Sequence, residues 1–308
     1  MPLTIAHDTL LCERTTLRLG GPALAEAVVS CAAGLDELAR VLPGLGGLPG
    51  LGGQALALGA GSNILAADGP HALVLVRAAN NAAPQISTQA DGVTPGAFIV
   101  RAGAGLRLPR LLGFCQRAGL SGLEGLTGVP GRIGGSVAMN AGSYGVELGA
   151  LLTRVRLWTP EGGLIWRAAQ DCAFGYRHFD PRMGGGFWMV WEAEFALNAD
   201  QPFAIRKRME TVYARKKASQ PVTARSAGCV FKNPEGLAPG TSAGRLLDEA
   251  GLRGKRLGGM AFSTVHANFL VNKGGGTAAQ ALELLEYGRA TVFDRFNLNL
   301  ETEVVVLG

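Results

Sequence analysis

The fold is decided by Gly125–Gly142, a stretch that reads GLTGVPGRIGGSVAMNAG. Six of its eighteen residues are glycine, and most of the other side chains are small. Because glycine lets the backbone approach another surface closely, bulk is excluded along the whole stretch. This pattern favours backbone lying against a large flat ligand, and a close-packed loop is the alternative.

A second glycine cluster, Gly59–Leu65, follows the predicted strand Ala55–Leu58. Adjacent glycines there allow several backbone N–H groups to converge on an anion such as a pyrophosphate, although a tight turn explains them equally well. The sixth residue of the motif is Ile64 rather than glycine, and position 77 is Arg77 rather than an acid. The dinucleotide fingerprint of a Rossmann domain is therefore not met.

The composition is that of a folded protein with a sizeable core. Of the 308 residues, 47% are hydrophobic, 17% are charged and 46 are glycine. The glycine excess has no collagen-like period, and the apolar content argues against disorder. A chain of this length predicts two or three domains.

Cysteine usage and apolar runs bear on metal sites, compartment and membrane. The five cysteines include no Cys-x-x-Cys pair, which argues against zinc and iron–sulfur sites, and no metal is predicted. Val41–Ala67 carries no charge but contains eight glycines and two prolines, which do not suit a spanning helix. Since the N-terminus has no signal-peptide pattern, we expect a soluble cytoplasmic protein without a membrane partner.

The chain has a net charge of +5, and its basic residues are densest from Arg206 to Lys232. This run is interpreted either as a solvated helix face followed by a loop or as a site for an anionic small molecule. A nucleic-acid groove needs more interleaved basic and aromatic side chains, and aromatic residues make up only 6% of the chain. No nucleic-acid partner is therefore predicted.

Hydrophobic periodicity predicts strands that alternate with helices over residues 15–77. Apolar positions at helical spacing predict further helices at Leu108–Ala118, Ala204–Ser219, Ser242–Glu249 and Thr277–Asn297. Strands are predicted at Gly228–Lys232 and Leu300–Leu307, and the last strand is expected to return to an earlier sheet.

Three further segments carry residue types suited to chemistry. Arg177 follows Tyr176 at a glycine turn, and a guanidinium that stays charged polarises a carboxylate. Cys229 places a thiol beside a glycine at a strand edge, and Glu301 and Glu303 share one face of the predicted last strand. A surface arginine, an inert buried thiol and a solvated carboxylate are the plain alternatives.

Together and in this order, these segments resemble the UDP-N-acetylenolpyruvoylglucosamine reductase family. The resemblance runs from about Thr15 to the end of the chain and rests most on Gly125–Gly142 and on Ser226–Pro234, which reads SAGCVFKNP. The short segment between Arg177 and Trp188 is similar to family members that lack an extra tyrosine-bearing loop over the substrate.

The resemblance implies an α+β fold of three domains. Two of them form an FAD-binding unit of the vanillyl-alcohol-oxidase type, one at residues 1–77 and the other at residues 78–199 together with a C-terminal strand at 297–308. The third, at residues 200–296, is an α+β substrate-binding domain.

The resemblance also implies an activity, the reduction of UDP-N-acetylglucosamine enolpyruvate to UDP-N-acetylmuramate in peptidoglycan precursor synthesis. FAD and NADPH are the implied cofactors, with hydride from the reduced flavin reaching C3 of the substrate and a proton reaching C2. Arg177 and Glu303 match the pair that polarises the substrate carboxylate and stabilises the enolic intermediate. The implied partner is this small molecule, and a monomeric chain is expected.

At the proton donor the chain departs from the family pattern, because Cys229 occupies a position that is usually serine. A thiol carries one transferable proton, and its ordinary pKa of about 8.5 is lower than that of an alcohol. A neighbouring cation would ionise such a thiol and remove the proton. We hypothesise that Cys229 stays protonated in the working complex and is the general acid.

The resemblance assigns the remaining site residues. For the substrate they are Tyr176, Lys217, Arg225, Lys232 and Asn233, of which Lys217 and Arg225 suit a diphosphate. For the flavin they are Gly59, Ala60, Gly61, Ser62, Asn63, Ile64, Thr127, Gly128, Pro130, Gly131, Ile133, Gly134, Gly135, Ala138, Asn140, Ala141 and Gly142. His266 lies in a family-like segment and is interpreted as a structural histidine.

Two other interpretations stay open. One is another FAD oxidase or dehydrogenase of the same fold, acting on small alcohols or sugars without the set formed by Tyr176-Arg177, Cys229 and Glu303. The other is a non-enzymatic anion-binding module that uses the basic run Arg206–Lys232.

Overall fold

The computed structural model describes residues 1–46, 53–87, 97–234 and 240–308. Part of the uncharged stretch Val41–Ala67, residues 47–52, lies outside the described residues. The chain divides into two compact units. The first unit comprises residues 1–8, 24–60 and 72–215, and the second unit comprises residues 9–23, 61–71 and 216–308.

Short strands dominate the described residues. In chain order they are β1 Leu3–Leu10, β2 Pro22–Val29, β3 Gln54–Ala57, β4 Ile64–Ala66, β5 His71–Ala78, β6 Gln85–Ser87, β7 Ala97–Gly103, β8 Leu120–Ser121, β9 Gly142–Ser143, β10 Val146–Glu147, β11 Leu152–Thr159, β12 Gly163–Ala168, β13 Ala173–Gly175, β14 His178–Asp180, β15 Met189–Ala199, β16 Ser226–Cys229, β17 Arg256–Leu257, β18 Met260–Phe262, β19 Phe269–Asn272 and β20 Val305–Leu307.

The helices vary more in length. They are α1 Ala32–Val41, α2 Leu108–Arg117, α3 Ile133–Ala138, α4 Leu148–Leu151, α5 Pro202–Ser219, α6 Ala243–Glu249 and α7 Ala278–Phe296. Across the four described ranges, none of them has the length and apolar content that a membrane span requires.

The first unit is built on two sheets. One has the strand order β1-β2-β5-β3, in which β3 runs parallel to β5. The other has the order β12-β11-β15-β7-β6, with antiparallel pairing and with β8 attached to β15. Val155 and Leu157 of β11 point into a core shared with α2 and α3, while Arg154 and Arg156 alternate onto the opposite face.

The second unit is built on an antiparallel sheet of order β16-β19-β18-β17. Helices α6 and α7 cover it, since Leu246 and Leu285 share one core with Phe231 and Phe262. Strand β20 pairs in parallel with β4, so the C-terminal segment joins residues 64–66 of the same unit.

Capping residues define the ends of α7. The Thr277 hydroxyl accepts a hydrogen bond from the Gln280 amide, and the Gln280 Oε1 accepts one from the Thr277 amide, which forms a capping box. The carboxylate of Asp68 accepts a further hydrogen bond from the Ala278 amide at 2.8 Å. Asn297 ends the helix in the left-handed region. The predicted helix Thr277–Asn297 is therefore confirmed, with its two outer residues acting as caps.

Two predicted strands differ from the structure, and Gly125–Gly142, for which no element was predicted, contains the short helix α3. The strand predicted at Gly228–Lys232 begins earlier and ends at Cys229. The predicted strand Leu300–Leu307 is regular only over Val305–Leu307. Before that, Thr302 forms a single antiparallel bridge with Phe231, two residues after the end of β16. At the first strand, the left-handed φ of Gly228 interrupts the pairing with β19, a feature that side-chain alternation does not reveal.

The partner of the last strand also differs from expectation. The resemblance implies that residues 297–308 lie with residues 78–199, whereas β20 pairs with β4 at Ile64–Ala66. A three-residue strand carries too little side-chain pattern to specify its neighbour. The three-domain division otherwise stays a prediction.

A buried carboxylate lies on the charged face of the six-stranded sheet. Glu194 is 3% exposed, and its carboxylate accepts hydrogen bonds from Arg101 at 2.7 Å and from Arg154 at 2.5 Å. The Arg154 guanidinium also lies 4.4 Å from the centre of the Trp166 ring. Burial raises the pKa of Glu194, but hydrogen bonds from Arg154 and Arg101 outweigh it and hold the pKa below its usual value.

We predict that Glu194→Gln lowers the free energy of unfolding near neutral pH by about 2 kcal/mol, because two arginines lose a charged acceptor. The folded-state pKa lies below the unfolded value of about 4.3, so this contribution is present above that pH. It disappears as the pH falls through the folded-state pKa. Urea unfolding of wild type and variant across the acidic range measures both effects.

The matched control is Glu210→Gln, because Glu210 pairs with Arg206 on an exposed helix face. Its effect on the free energy of unfolding should stay below about 0.5 kcal/mol. Equal stability of the Glu194 and Glu210 variants would contradict the prediction.

Candidate active site

Some glycines of the two predicted ligand-binding clusters are required by the protein itself. At Gly134 a Cβ atom would lie 2.9 Å from the Cβ of Ala104, closer than packed side chains allow. At Gly61, φ is +61° and a Cβ atom would overlap the Arg14 carbonyl oxygen. Packing and backbone conformation therefore explain glycine at both positions.

Gly59 and Gly135 have no such internal cause. They face each other in the first unit, and a Cβ atom at Gly59 would lie 3.5 Å from the Cα of Gly135. A Cβ atom at Gly135 would lie 3.7 Å from the Cα of Gly59, and both distances are ordinary van der Waals contacts. Neither residue has a left-handed φ. Bare backbone at this contact therefore fits a bound group that approaches closely, as the flavin prediction requires.

The side chain of Asn140 connects the end of the glycine-rich stretch to a hairpin. It is 2% exposed, its Oδ1 accepts a hydrogen bond from the Gly149 amide at 2.8 Å, and its Nδ2 donates to the Gly175 carbonyl at 3.0 Å. Both ends of the amide are therefore used inside the protein. Asn140 positions the hairpin that carries Arg177, and its predicted contact with the flavin stays a prediction.

Arg177 lies in the two-residue turn between β13 and β14. Its φ is +54°, an uncommon conformation for a residue other than glycine, and such strain is often found at functional sites. Its Nη1 donates to the Gly142 carbonyl at 3.2 Å, and its guanidinium lies 4.9 Å from the centre of the Tyr176 ring. The turn thus orients the guanidinium next to the glycine-rich stretch within the first unit.

Cys229 ends β16 in the second unit, directly after a break in the strand pairing. The register between β16 and β19 shifts between Ser226 and Cys229, and Gly228 has a φ of +79°. Such bulges redirect the following side chain, so Gly228 is the residue that sets the direction of the thiol. The Thr16 hydroxyl donates to the Ser226 carbonyl at 2.6 Å and holds the start of this strand.

Asn268 holds the chain after Cys229 and was not among the predicted site residues. It is 2% exposed, its Oδ1 accepts from the Phe231 amide at 2.9 Å, and its Nδ2 donates to the Phe231 carbonyl at 2.8 Å. The Val230 amide donates to the Asn268 carbonyl at 2.9 Å. A polar residue just before the apolar strand β19 is the sequence signal that points to such a role.

Glu303 is brought beside the Cys229 segment by backbone hydrogen bonds. Its amide donates to the Val230 carbonyl at 2.8 Å, and the Lys232 amide donates to the Glu301 carbonyl at 2.8 Å. The Asn63 Nδ2 donates to the Glu303 carbonyl at 3.1 Å. The second unit therefore assembles three predicted site residues, Asn63, Cys229 and Glu303, from distant parts of the sequence.

Two of the predicted substrate residues also have partners within the protein. The Lys232 ammonium forms an ion pair with the Glu301 carboxylate at 3.0 Å, at an exposed position. The Oδ1 of Asn233 accepts a hydrogen bond from the Ala243 amide at 3.1 Å at the start of α6. These contacts position the two side chains, and their binding to substrate stays a prediction.

The other two predicted cations, Lys217 and Arg225, are exposed in the second unit. Lys217 lies in the last turn of α5, and Arg225 precedes β16. The neighbouring Lys216 is 2% exposed, and burial lowers its pKa to about 8. Because Arg215, Lys216 and Lys217 follow one another, the sequence carries no signal of which one turns inward.

His266 packs as a structural residue. Its ring lies 5.1 Å from the Phe269 ring centre, and its Nδ1 accepts a hydrogen bond from the Asn268 amide at 3.2 Å. Burial lowers the pKa of His266. The ring fills the space beside Gly244, where a Cβ atom would lie 2.5 Å from its Cε1.

The remaining flavin candidates divide between the two units, and their ligand contacts stay predictions. The first unit holds Ala60, Thr127, Gly128, Pro130, Gly131, Ile133, Ala138, Ala141 and Gly142, and the second holds Ser62 and Ile64. Outside residues 47–52, 88–96 and 235–239, no cluster of three or more His, Cys, Asp or Glu side chains could hold a metal ion.

Two family models match the chain. The model of the UDP-N-acetylenolpyruvoylglucosamine reductase C-terminal domain matches residues 220–307, and that of an FAD binding domain matches residues 27–167. Together with the mixed helices and strands, these matches confirm the predicted α+β fold with an FAD-binding part and a distinct C-terminal domain.

The chain is similar to curated proteins over its full length. It is 50% identical to the UDP-N-acetylenolpyruvoylglucosamine reductase of Nitratidesulfovibrio vulgaris and 47% identical to that of Oleidesulfovibrio alaskensis, with 99% of each chain covered in both comparisons. Its structure is similar to the crystal structure of UDP-N-acetylenolpyruvylglucosamine reductase from Thermus caldophilus, with a TM-score of 0.80 and 33% identity. That comparison covers 99% of this chain and 100% of the other.

We predict that Gly59→Ala and Gly135→Ala each weaken FAD binding by at least about tenfold, because the added methyl group fills space that the cofactor needs. The apoprotein should keep its melting temperature, since neither backbone position requires glycine. Flavin fluorescence titration and thermal unfolding measure the two quantities.

Gly69→Ala is the matched control, because a Cβ atom there meets no other atom within 4 Å. Its affinity for FAD should equal that of wild type. Unchanged FAD affinity in both the Gly59 and Gly135 variants would show that this contact does not cradle the cofactor.

Proposed function

Because the chain belongs to the UDP-N-acetylenolpyruvoylglucosamine reductase family, we propose that Arg177, Cys229 and Glu303 carry an FAD-dependent reduction with NADPH as the reductant. The chain is a flavoprotein oxidoreductase of peptidoglycan precursor synthesis that acts on a small UDP-sugar. Its proposed substrate is UDP-N-acetylglucosamine enolpyruvate, and its product is UDP-N-acetylmuramate. We expect a monomer acting in the cytoplasm, without a nucleic-acid or membrane partner.

The observation that carries this proposal is the backbone ladder in the second unit. The Glu303 amide donates a hydrogen bond to the carbonyl of Val230, the residue that follows Cys229. Glu303 and Cys229 therefore lie on neighbouring segments of the second unit. An enol ether reduction needs both a proton donor and a group that stabilises the developing charge. The pairing supplies these two groups from neighbouring segments.

The proposed flavin site fits the first unit, because the Gly59–Gly135 contact leaves bare backbone where packing does not require it. When bound, FAD supplies the hydride that NADPH provides and that the substrate accepts at C3. The chain's own residues must then hold the substrate, stabilise charge at C2 and its carboxylate, and deliver a proton.

Arg177 is the proposed electrostatic partner of the substrate carboxylate. Its guanidinium stays charged at all relevant pH values, and its planar fork suits two carboxylate oxygens. The hydrogen bond to the Gly142 carbonyl and the contact with Tyr176 restrict its orientation before substrate binds. Such preorganisation is what makes a charged group effective in stabilising the enolic intermediate.

Cys229 is the proposed proton donor to C2. Its S–H bond breaks as the C2–H bond forms, and the resulting thiolate takes a proton from solvent before the next turnover. The bulge at Gly228 aims the thiol, and Asn268 holds the following residues. Glu303 completes the set as the proposed partner of Arg177 in polarising the substrate carboxylate and stabilising the enolic intermediate.

The substrate diphosphate and sugar are assigned to Tyr176, Lys217, Arg225, Lys232 and Asn233. Lys217 and Arg225 are exposed and able to reach a ligand, which supports pairing with the diphosphate. The Lys232 ammonium already forms an ion pair with the Glu301 carboxylate. On substrate binding it would either leave that carboxylate for the substrate or contact both.

An anaerobic titration of the holoenzyme tests the proposed function. We expect NADPH to bleach the visible flavin absorption and the enolpyruvyl substrate to restore it with formation of product. Reduction by simple alcohols with fast reoxidation by oxygen would indicate an oxidase of the same fold instead. A purified protein that binds no flavin would favour an anion-binding module that uses residues Arg206–Lys232.

Substitution of Cys229 separates proton donation from hydride transfer. We predict that Cys229→Ala slows the substrate-driven reoxidation of the flavin by about 10²- to 10⁴-fold, the usual contribution of a general acid. Reduction by NADPH should keep its wild-type rate, and Cys229→Ser should stay within about tenfold of wild type because serine also donates a proton. Stopped-flow absorbance measures both half-reactions.

Cys31→Ala is the control for general effects of removing a thiol, because Cys31 is exposed in the first unit. Both half-reactions should be unaffected in this variant. Product formation at the wild-type rate by Cys229→Ala would rule out Cys229 as the proton donor.

A further inference from the structure

Two arginines of the first unit lie directly opposite each other, and the proposed reaction does not use them. Arg107 immediately precedes α2, Arg132 immediately precedes α3, and the two residues form an isolated antiparallel bridge. The flanking backbone bonds run from the Leu108 amide to Gly131 at 3.0 Å and from the Ile133 amide to Leu106 at 2.9 Å. This pattern defines the non-hydrogen-bonded type of pair, whose side chains are closest together.

A third arginine, Arg77, also affects the charge of Arg132. The pKa of Arg132 is lowered, first by burial and then by the positive charges of Arg77 and Arg107. Arg77 is the residue that occupies position 77, where a Rossmann dinucleotide site would carry an acid. Three positive charges therefore converge in one part of the first unit.

The protein supplies little negative charge to offset them. Arg77 pairs with the buried Glu26 carboxylate at 2.6 Å. Within the described parts of the chain, neither Arg107 nor Arg132 forms an ion pair, and the Nη1 of Arg132 donates only to the neutral Gly105 carbonyl at 2.5 Å. Like charges placed directly opposite each other destabilise a strand pair, so this arrangement is unfavourable for folding alone. A bound anion would remove the disadvantage.

The cluster borders the contact between Gly59 and Gly135. The Cβ of Arg132 lies 4.0 Å from the position that a Cβ atom at Gly59 would take, and Gly135 follows Arg132 by three residues in α3. The Arg132 side chain therefore begins beside the bare glycine backbone. An anion held by the arginines would lie next to a group held against the glycines.

We infer that Arg77, Arg107 and Arg132 form a cationic cluster that binds the diphosphate of FAD, an inference that rests on the proposed function. Diphosphate is the chemistry that suits three guanidinium groups, because arginine forms paired hydrogen bonds with phosphate oxygens. NADPH and the UDP-sugar also contain a diphosphate. The adjacent glycine contact, which fits a cofactor approaching bare backbone, assigns the cluster to FAD.

The test compares FAD with riboflavin, which carries the same ring system but no diphosphate. In Arg107→Gln and Arg132→Gln, the dissociation constant of FAD should rise at least about tenfold, and that of riboflavin should change less than about twofold. The salt dependence of FAD affinity should also become shallower in both variants, because fewer charges contribute. Fluorescence titration of the apoprotein gives all of these values without measuring activity.

The matched control is Arg117→Gln, an exposed arginine in the last turn of α2, roughly 15 Å along the helix from Arg107. Its affinity for FAD should match wild type. The melting temperature of the Arg107→Gln apoprotein should not fall, because the substitution removes repulsion and no hydrogen bond.

Three results would overturn the inference. The first is an FAD affinity within twofold of wild type in both variants with an unchanged salt dependence. The second is an equal loss of FAD and riboflavin binding with a lower melting temperature, which would indicate a structural role. The third is a stronger effect on NADPH or UDP-sugar binding than on FAD binding. A wild-type chain that bound no FAD would instead refute the proposed function itself.

Discussion

The hydrogen bond from the Glu303 amide to the Val230 carbonyl is the interaction on which the second unit's chemistry depends. Together with the bond from the Val305 amide to the Asn63 carbonyl, it joins segments that lie far apart in the chain. Backbone hydrogen bonds fix the positions of these segments whatever their side chains are. The C-terminal segment therefore connects these parts of the second unit, and main-chain pairing places Glu303 beside the segment that follows Cys229.

The glycines of this chain have at least two distinct causes, which a count cannot separate. Gly61 and Gly134 are glycine because a side chain would collide with Arg14 or Ala104. Gly59 and Gly135 have room for a methyl group, so the protein alone does not require glycine there. The second pair is the more informative about function. A residue that the fold would tolerate as alanine, yet remains glycine at a backbone contact, points to something outside the chain.

Sequence patterns were reliable where a signal is local. The helix predicted at Thr277–Asn297 carries its own caps, and the helix predicted at Ala204–Ser219 begins only two residues earlier, at Pro202. Sequence patterns did not predict features that depend on strand pairing or on the backbone conformation of a single residue. The three residues of β20 do not specify β4 as their partner, and the left-handed backbone of Arg177, within the turn that Gly175 did indicate, leaves no trace in hydrophobicity. Asn268 and Lys216 were missed for a related reason, because burial of a polar side chain is a property of the surrounding fold.

The electrostatics of the first unit show two ways of placing arginines. Around Glu194, Arg101 and Arg154 converge on a buried carboxylate, so the charges are balanced within the protein and the face is stable on its own. At Arg107 and Arg132 two positive charges oppose each other, and neither forms an ion pair within the described residues, so the inferred diphosphate would supply the balancing charge. A ligand that binds only the folded state adds its binding free energy to stability. In the inferred complex, the bound diphosphate would relieve the repulsion between Arg107 and Arg132. Cofactor binding would therefore stabilise the folded first unit.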